Sequence, residues 1–79
     1  MYYVYILRSE IDNSRYIGVT QDLKRRMQEH NSGSVKYSNS KRPYKLIWYC
    51  AFRNKQKAYD FEKYLKSSSG YAFTKKRFL

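Results

Sequence analysis

Residues 2–7 read YYVYIL, and this run of aromatic and branched side chains favours a β-strand. Successive side chains of a strand point to opposite faces, so Tyr3 and Tyr5 share one face. Val4 and Ile6 then share the other face. Because both faces carry large side chains, this stretch predicts a sheet that other elements cover on both sides.

Two more strands are predicted further along the chain. Residues 9–14 indicate a turn, because Asp12 and Asn13 tolerate left-handed backbone geometry. Residues 15–19 follow as the second strand of an antiparallel hairpin. Residues 45–52 read KLIWYCAF and are almost wholly apolar. This composition predicts a third strand that is central in the sheet or covered on both faces.

The first helix is predicted between residues 21 and 31. Thr20 suits the N-cap position, and Asp22 suits the positive end of the helix dipole in the first turn. The helix is expected to end near Gly33. Residues 32–44 then form a basic loop that is rich in Ser and Asn.

Two further helices are predicted after the third strand. Asn54 suits the N-cap of a helix that runs to about Lys66, and the Ser-Ser-Ser-Gly run at residues 67–70 interrupts it. A short last helix is predicted over residues 71–78. Together these elements predict one α/β (α+β) domain over residues 1–79, with a small, mainly antiparallel three-stranded sheet flanked by helices.

The charge of the chain indicates a polyanionic partner. Seventeen Lys and Arg against six Asp and Glu give a formal net charge of +11. Each cation on a phosphate releases counterions, so nucleic acid is the first candidate, ahead of a membrane surface or simple solubility. A hydrophobic share of 42% excludes a disordered chain.

The composition also argues against several classes of protein. The single Cys50 excludes an internal disulfide and a Cys-rich zinc site, and it favours a cytoplasmic location. No apolar run approaches the roughly 18 residues of a membrane-spanning helix. We therefore expect no membrane span.

Helical geometry singles out Glu62. At about 100° per residue, Glu62 lies inside or beside the buried arc that contains Ala58 and Leu65, whereas Asp60 faces water. A carboxylate beside a core is costly unless a cation or a metal ion binds it. A structural ion pair and a functional carboxylate both fit this position.

The first helix can be read in the same way. His30 and Met27 fall on the apolar side with Leu23, and Arg26 falls at the edge of that side. Arg25 points into solvent. Arg26 can therefore lean over the sheet beside His30. Both residues also fit structural roles, as an arginine whose stem covers the core and as a hydrogen-bonded, partly buried ring.

Two tyrosines and a glycine come together in the predicted hairpin. Tyr5 and Tyr16 can lie close across the two strands, and Gly18 follows on the same face as Tyr16. A strand position without a side chain permits the close approach of a backbone or a ligand. Two core tyrosines beside a β-bulge are the alternative interpretation.

The residues singled out above follow one another along the chain in an order that is typical of one protein superfamily. The chain resembles the GIY-YIG nuclease superfamily, and its small stand-alone members above all, over essentially all 79 residues. The resemblance is carried by Tyr3-Val4-Tyr5, Tyr16-Ile17-Gly18, Arg26, His30 and Glu62. Tyr3 stands in the position of the first motif's glycine. No Asn follows Asn54, although several members carry a late asparagine, so that role is vacant or passes to residues 67–69 or Thr74.

The resemblance implies a metal-dependent nuclease with Tyr5, Tyr16, Arg26, His30 and Glu62 as catalytic residues and Gly18 as a structural motif residue. It implies one Mg²⁺ or Mn²⁺ ion on Glu62 and an Arg26 guanidinium on the scissile phosphate. Tyr5 would position or deprotonate the attacking water, and Tyr16 would hold the water or the phosphate.

The remaining basic residues are expected to follow the phosphate backbone of a nucleic acid, DNA more than RNA. They are Lys24, Arg25, Lys36, Lys41, Arg42, Lys75, Lys76 and Arg77. Tyr37 and Tyr44 are expected to stack on exposed bases. Phosphate contacts carry no sequence information, so we expect the protein to select a nucleic-acid structure and not a base sequence. We also expect it to be a monomer.

Two other functions fit the same sequence. One is a non-catalytic nucleic-acid-binding module on the same scaffold, which the missing late asparagine favours. The other is a basic domain that docks on an acidic protein. Steep salt dependence would separate nucleic-acid binding from the latter.

Overall fold

A computed structural model provides the structure, which describes residues 1–36, 39–67 and 70. The elements in chain order are β1 (Tyr2–Ser9), β2 (Arg15–Thr20), α1 (Leu23–Ser32), a 3₁₀ turn (Asn39–Lys41), β3 (Tyr44–Phe52) and α2 (Lys55–Leu65). The helix predicted over residues 71–78 lies outside the described residues. Within the described part of the chain, no helix has the length and apolar character needed to cross a membrane.

The three strands form one antiparallel sheet in the order β2-β1-β3. The predicted α+β architecture is therefore confirmed, with β1 at its centre. Strand β3 lies at an edge, so the first alternative for residues 45–52, a central strand, is wrong. The second alternative, a strand covered on both faces, is met in part, because Leu46 packs on the α1 side and Ile47 on the α2 side. A register shift between Ile6 and Leu7 leaves Ile47 as an extra residue in β3. Ile47 and its neighbour Trp48 both pack on the α2 side, which explains why this edge strand shows no alternation.

Each face of the sheet is covered by one helix, as the alternation along β1 predicts. On one face, Val4 and Ile6 are fully buried against Ala58 and Leu65 of α2. On the other face, α1 covers a second cluster. Its buried members are Tyr5, Leu7 and Tyr44, and Tyr16, Leu23, Met27 and Leu46 pack around them.

Local capping sets where the helices begin and end. Asp22 is the N-cap of α1, since its carboxylate accepts the backbone N–H of Arg25 at 3.0 Å. The expectation that Thr20 caps this helix is wrong, because the Thr20 hydroxyl instead accepts the N–H of Asp22. Gly33 ends α1 with a φ of 88°, and Asn54 caps α2, both as predicted.

Candidate active site

Gly18 makes room for the Tyr5 side chain. The β1–β2 ladder places the two residues directly opposite each other. A Cβ atom on Gly18 would lie 2.5 Å from the Tyr5 hydroxyl oxygen and 3.2 Å from Cε1 of Tyr16. The ladder runs through this point without a register shift, so no bulge accounts for the glycine. The group that approaches Gly18 closely is the Tyr5 side chain, whereas the sequence favoured the approach of a backbone or a ligand.

The Tyr5 hydroxyl lies between an imidazole and a guanidinium. Its oxygen is 3.0 Å from Nε2 of His30, and it also accepts a hydrogen bond from the Arg26 side chain. The Tyr16 ring stacks on the Tyr5 ring with centroids 6.3 Å apart. Tyr5 is only 1% exposed. Strand β1, strand β2 and helix α1 thus each contribute to one polar cluster beneath α1.

Burial raises the pKa of Tyr5 to about 12. The hydrogen bond from Arg26 acts in the opposite direction, while electrostatic interactions with Tyr16 and Glu62 add to the increase. The phenol is therefore fully protonated at neutral pH, and it can accept from Arg26 while donating to His30. An ionised Tyr5 acting as a free base does not fit this environment.

His30 lies inside a cage of three tyrosine rings. The centroids of Tyr16, Tyr5 and Tyr44 are 4.6, 5.8 and 5.9 Å from that of the imidazole. Burial, reinforced by the Arg26 charge, lowers the pKa of His30 to about 4. His30 is thus neutral at pH 7, and its Nε2 can accept the Tyr5 proton. The stacking of Tyr44 on exposed bases is excluded in this conformation, because Tyr44 is buried against the cage.

Arg26 and Arg25 occupy different positions, as the helix geometry predicts. The Arg26 side chain is 35% exposed and that of Arg25 is 73% exposed. Arg26 Nη1 donates to Glu29 Oε1 at 3.0 Å, and Arg25 Nε lies 3.5 Å from the other oxygen. The sequence analysis missed Glu29, although its spacing of three and four residues from the arginines is the usual signal for such pairs.

Glu62 belongs to the helix on the opposite face of the sheet. Its side chain is 19% exposed, and Oε2 lies 3.3 Å from Nζ of Lys66. The carboxylate is nevertheless close enough to raise the pKa of Tyr5 electrostatically. Both expectations for Glu62 thus remain compatible with the structure: it has an ion pair, and its charge acts on the tyrosine cluster.

The carboxylate of Glu62 is the metal ligand that the family resemblance implies. Among residues 1–36, 39–67 and 70, no group of three or more His, Cys, Asp or Glu side chains could hold an ion. Mg²⁺ commonly keeps several waters and binds one or two carboxylates together with substrate phosphates. A partly exposed single carboxylate fits that mode of binding and does not fit a closed site made by protein alone.

The model of the GIY-YIG catalytic domain matches residues 1–76. The chain belongs to the GIY-YIG family. This family is one of nucleases. The polar cluster beneath α1 therefore lies in a domain whose family is associated with nucleic-acid hydrolysis.

Several proteins are similar to this GIY-YIG domain. A UPF0213 protein of Clostridium perfringens is 42% identical over 67 residues, covering 84% of this chain and 71% of the relative. A UPF0213 protein of Streptococcus pneumoniae serotype 4 is 43% identical over 65 residues, covering 81% of this chain. The chain spans 65% of the length of that relative.

A solved structure has the same fold. The solution NMR structure of the UPF0213 protein BH0048 from Bacillus halodurans matches with a TM-score of 0.59 at 34% identity. The match covers 99% of this chain and 87% of the other. The small three-stranded architecture with two packed helices is therefore shared with that structure.

The basic residues predicted to contact phosphates differ in how available their charges are. Lys24, Arg25, Lys36, Lys41 and Arg42 are all exposed. Lys41 is paired with Asp12, so part of its charge is already engaged. Tyr37, Lys75, Lys76 and Arg77 lie outside the described residues. Arg26 is the basic side chain that reaches the tyrosine cluster itself.

Proposed function

We propose that this GIY-YIG domain is a divalent-metal-dependent endonuclease that hydrolyses DNA phosphodiester bonds. The observation that carries the proposal is the Tyr5 hydroxyl held between the Arg26 guanidinium and Nε2 of His30. This arrangement combines a permanent positive charge with a path for a proton. Phosphodiester hydrolysis requires both, because the attacking water loses a proton while negative charge accumulates on the phosphate.

Arg26 is the residue that binds the scissile phosphate in this proposal. A guanidinium is always ionised and presents several donors in a fixed plane, which suits the oxygens of a phosphate. In the free domain Glu29 occupies part of this plane. A phosphate would therefore replace Glu29 as the acceptor for Arg26, and the guanidinium would stabilise the charge that develops during attack.

Tyr5 transfers the proton without ionising. Its hydroxyl oxygen accepts a proton from the attacking water as its own proton moves to Nε2 of His30. The raised pKa of Tyr5 makes this exchange more favourable than a free phenolate. A bound phosphate also offsets the Arg26 charge that helps to lower the pKa of His30, so the imidazole becomes a better acceptor when substrate is present.

Substrate binding must also uncover the phenol. Tyr5 is 1% exposed in the free domain, and Arg26 is hydrogen-bonded to its hydroxyl. We propose that Arg26 turns outward when it binds a phosphate, which admits the water. Tyr16, which is half-buried against the same cluster, then holds the water or a phosphate oxygen through its hydroxyl.

Glu62 is the residue that would hold a Mg²⁺ or Mn²⁺ ion. A divalent ion held there would supply charge neutralisation for the phosphate and for the leaving oxygen. Lys66, whose side chain is exposed, binds the same carboxylate in the free domain and would have to give way to the ion.

The structural selectivity of the nuclease follows from what its basic residues can recognise. Exposed Lys and Arg side chains contact phosphates and position a nucleic acid, but they do not distinguish bases. We propose that a monomer selects DNA by its structure.

The test is a cleavage assay on nicked, branched, duplex and single-stranded DNA and on RNA, with Mg²⁺, Mn²⁺ or EDTA. We expect metal-dependent cleavage of DNA that EDTA abolishes. Glu62→Gln should reduce the rate at least about 100-fold while the circular dichroism spectrum and DNA affinity stay unchanged. Asp60→Asn, on the water-facing side of the same helix, is the matched control. Cleavage by Glu62→Gln at the parental rate would refute the metal assignment.

A non-catalytic nucleic-acid-binding module is the second candidate. The Glu62–Lys66 ion pair favours it, because this pair gives the carboxylate a structural partner that needs no metal. In that case the domain would bind DNA equally well with Mg²⁺ and with EDTA, and no substrate in the panel would be cut.

A further inference from the structure

An open apolar groove lies on the α1 face of the sheet, on the β3 side of α1. It has a volume of about 680 Å³. Its apolar walls come from β1, β3 and α1, and they are Tyr3, Leu46, Tyr49, Leu23 and Met27. The tyrosine cluster around Tyr5 instead uses residues of β2. The groove and the candidate active site are thus separate places on one face of the sheet.

Two tyrosines form an aromatic surface in the groove. The Tyr3 and Tyr49 rings meet edge to face, with centroids 6.1 Å apart and planes at 61°. Tyr49 is 51% exposed, which is unusual for so large an aromatic side chain on a sheet face. An exposed ring above a floor of Leu and Met side chains is a surface on which a flat apolar group can stack.

The positive charge of the domain as a whole suits a nucleic acid. Lys24 lines its rim, and the whole chain carries a net charge of +11. Asp22 is the one acidic residue in the lining, and its carboxylate is already engaged as the N-cap of α1. A polyanion that presents flat apolar rings is complementary to this combination, and single-stranded nucleic acid has both properties.

The register of the sheet places the groove beside the candidate active site. Tyr49 lies directly opposite Tyr5 in the β1–β3 ladder, and Gly18 lies directly opposite Tyr5 on the other side. Facing residues in such a ladder are only about 5 Å apart at Cα. The tyrosine that interacts with Arg26 and the exposed tyrosine of the groove are therefore neighbours on adjacent strands, so a base next to a phosphate at Arg26 would lie near Tyr49.

We propose that this groove binds an unstacked nucleobase next to the phosphate held by Arg26. The inference rests on the proposed function and specifies its substrate class. The bases of a continuous duplex are stacked and paired, so they cannot enter the groove without an energetic cost. Single-stranded regions, flaps and branch points supply free bases and are the substrates that the groove selects.

The experiment measures binding without cleavage, in EDTA and in the Glu62→Gln background. The probes are a single-stranded DNA oligonucleotide containing 2-aminopurine and the matched continuous duplex. Tyr49→Ala should weaken single-strand binding about 5- to 100-fold, the effect of losing one stacked base, and should leave duplex binding unchanged. Tyr49→Trp should retain single-strand affinity and quench the 2-aminopurine fluorescence.

Tyr64→Ala is the matched control. Tyr64 is 43% exposed and lies on α2, across the sheet from the groove. This variant should bind both probes as the parent does. Circular dichroism verifies that each variant is folded, and the exposure of Tyr49 makes its replacement compatible with folding.

Two results would overturn the inference. One is an equal effect of Tyr49→Ala on the two probes, including no effect on either. The other is a dimer, measured by light scattering, that Tyr49→Ala dissociates, because a second copy of the chain would then occupy the groove. Since these measurements involve no cleavage, failure of the nuclease proposal leaves them interpretable. A groove that binds bases in a domain that does not cut would support the binding-module alternative alone.

Discussion

Burial has different consequences on the two faces of the central strand β1. On the α2 face, Val4 and Ile6 pack against Ala58 and Leu65, and the buried atoms in contact are hydrocarbon. On the α1 face, the equally buried Tyr5 contacts an imidazole and a guanidinium. Burial on the first face stabilises the fold, and burial on the second determines which groups carry protons.

This difference has an energetic basis. Apolar packing is non-directional, so its contribution depends mainly on the area and volume that are buried. Buried polar groups stabilise a fold only when their hydrogen bonds are satisfied. Among the residues described here, no buried side-chain nitrogen or oxygen lacks a partner. The α1 face therefore depends on matched hydrogen-bonding partners as well as on packing.

The largest expected effect comes from the α2 face. Ile6→Ala should lower the free energy of unfolding by about 2 to 5 kcal/mol, since it leaves a cavity against α2. Urea unfolding followed by circular dichroism measures this loss. Ile6→Val should lower it by about 0.5 to 1.5 kcal/mol and provides a folded variant.

The same pair of variants tests whether packing on the α2 face affects cleavage at the candidate active site on the α1 face. Cleavage per folded molecule should be unchanged in Ile6→Val, because Ile6 points away from Tyr5 and Arg26. A loss of turnover larger than the loss of folded protein would show that the α2 face also shapes the candidate active site.

The next effect concerns α1. Arg26→Ala should lower the cleavage rate about 100- to 1000-fold, the usual consequence of removing one donor to a transition-state anion, with a smaller change in DNA affinity. Arg25→Ala should weaken DNA binding slightly and leave turnover nearly unchanged, because its side chain is 73% exposed. Single-turnover rates and binding titrations separate the two. Equal effects of both variants would contradict the distinction between the two sides of the helix.

The smallest expected effect is a pH dependence of stability. The ordinary pKa of histidine is 6.5, and burial lowers that of His30 to about 4. Between these values the unfolded chain binds a proton that the folded chain does not, so stability falls as the pH drops from about 6.5 to 4. We expect a loss of about 1 to 3 kcal/mol from this residue, measured by urea unfolding at pH 7 and pH 4.5.

The control for this prediction is His30→Gln, in which the pH dependence in this range should largely disappear. Lys41 holds the pKa of Asp12 well below its usual range. Protonation of Asp12 in the unfolded chain becomes important only near pH 4 and below, so it contributes little to this measurement. If the parent and His30→Gln lose the same stability between pH 7 and pH 4.5, the buried neutral imidazole is not the cause.

Much of the fold could be predicted because its signals are local. The alternation of Tyr3 and Tyr5 with Val4 and Ile6 predicted a sheet covered on both sides, and the structure confirms it. The helical positions of Arg25 and Arg26 were predicted from a single angle per residue. Of the two alternatives predicted for β3, the central position was wrong, because a register shift places consecutive apolar residues on one face and so resembles a central strand.

The candidate site could be predicted only in part. The sequence order identified Tyr5, Tyr16, Arg26, His30 and Glu62 as a set, and the roles of these residues stay predictions. Local spacing does not indicate which groups become buried, so the cage around His30 was not foreseen. The exposed Tyr49 was not singled out either, since an apolar strand gives no sign of which residues its neighbouring helix leaves uncovered.

The sequence by itself determined the element order, the covered faces of β1 and the positive charge that favours a polyanion. These properties depend on side-chain type and on the repeat of a helix or a strand, which neighbouring residues already specify. Only the tertiary structure decided that the pKa of Tyr5 rises further, that His30 stays neutral and that a groove opens beside them. Such properties depend on desolvation and on charges from distant segments, and those are defined only when the segments have packed together.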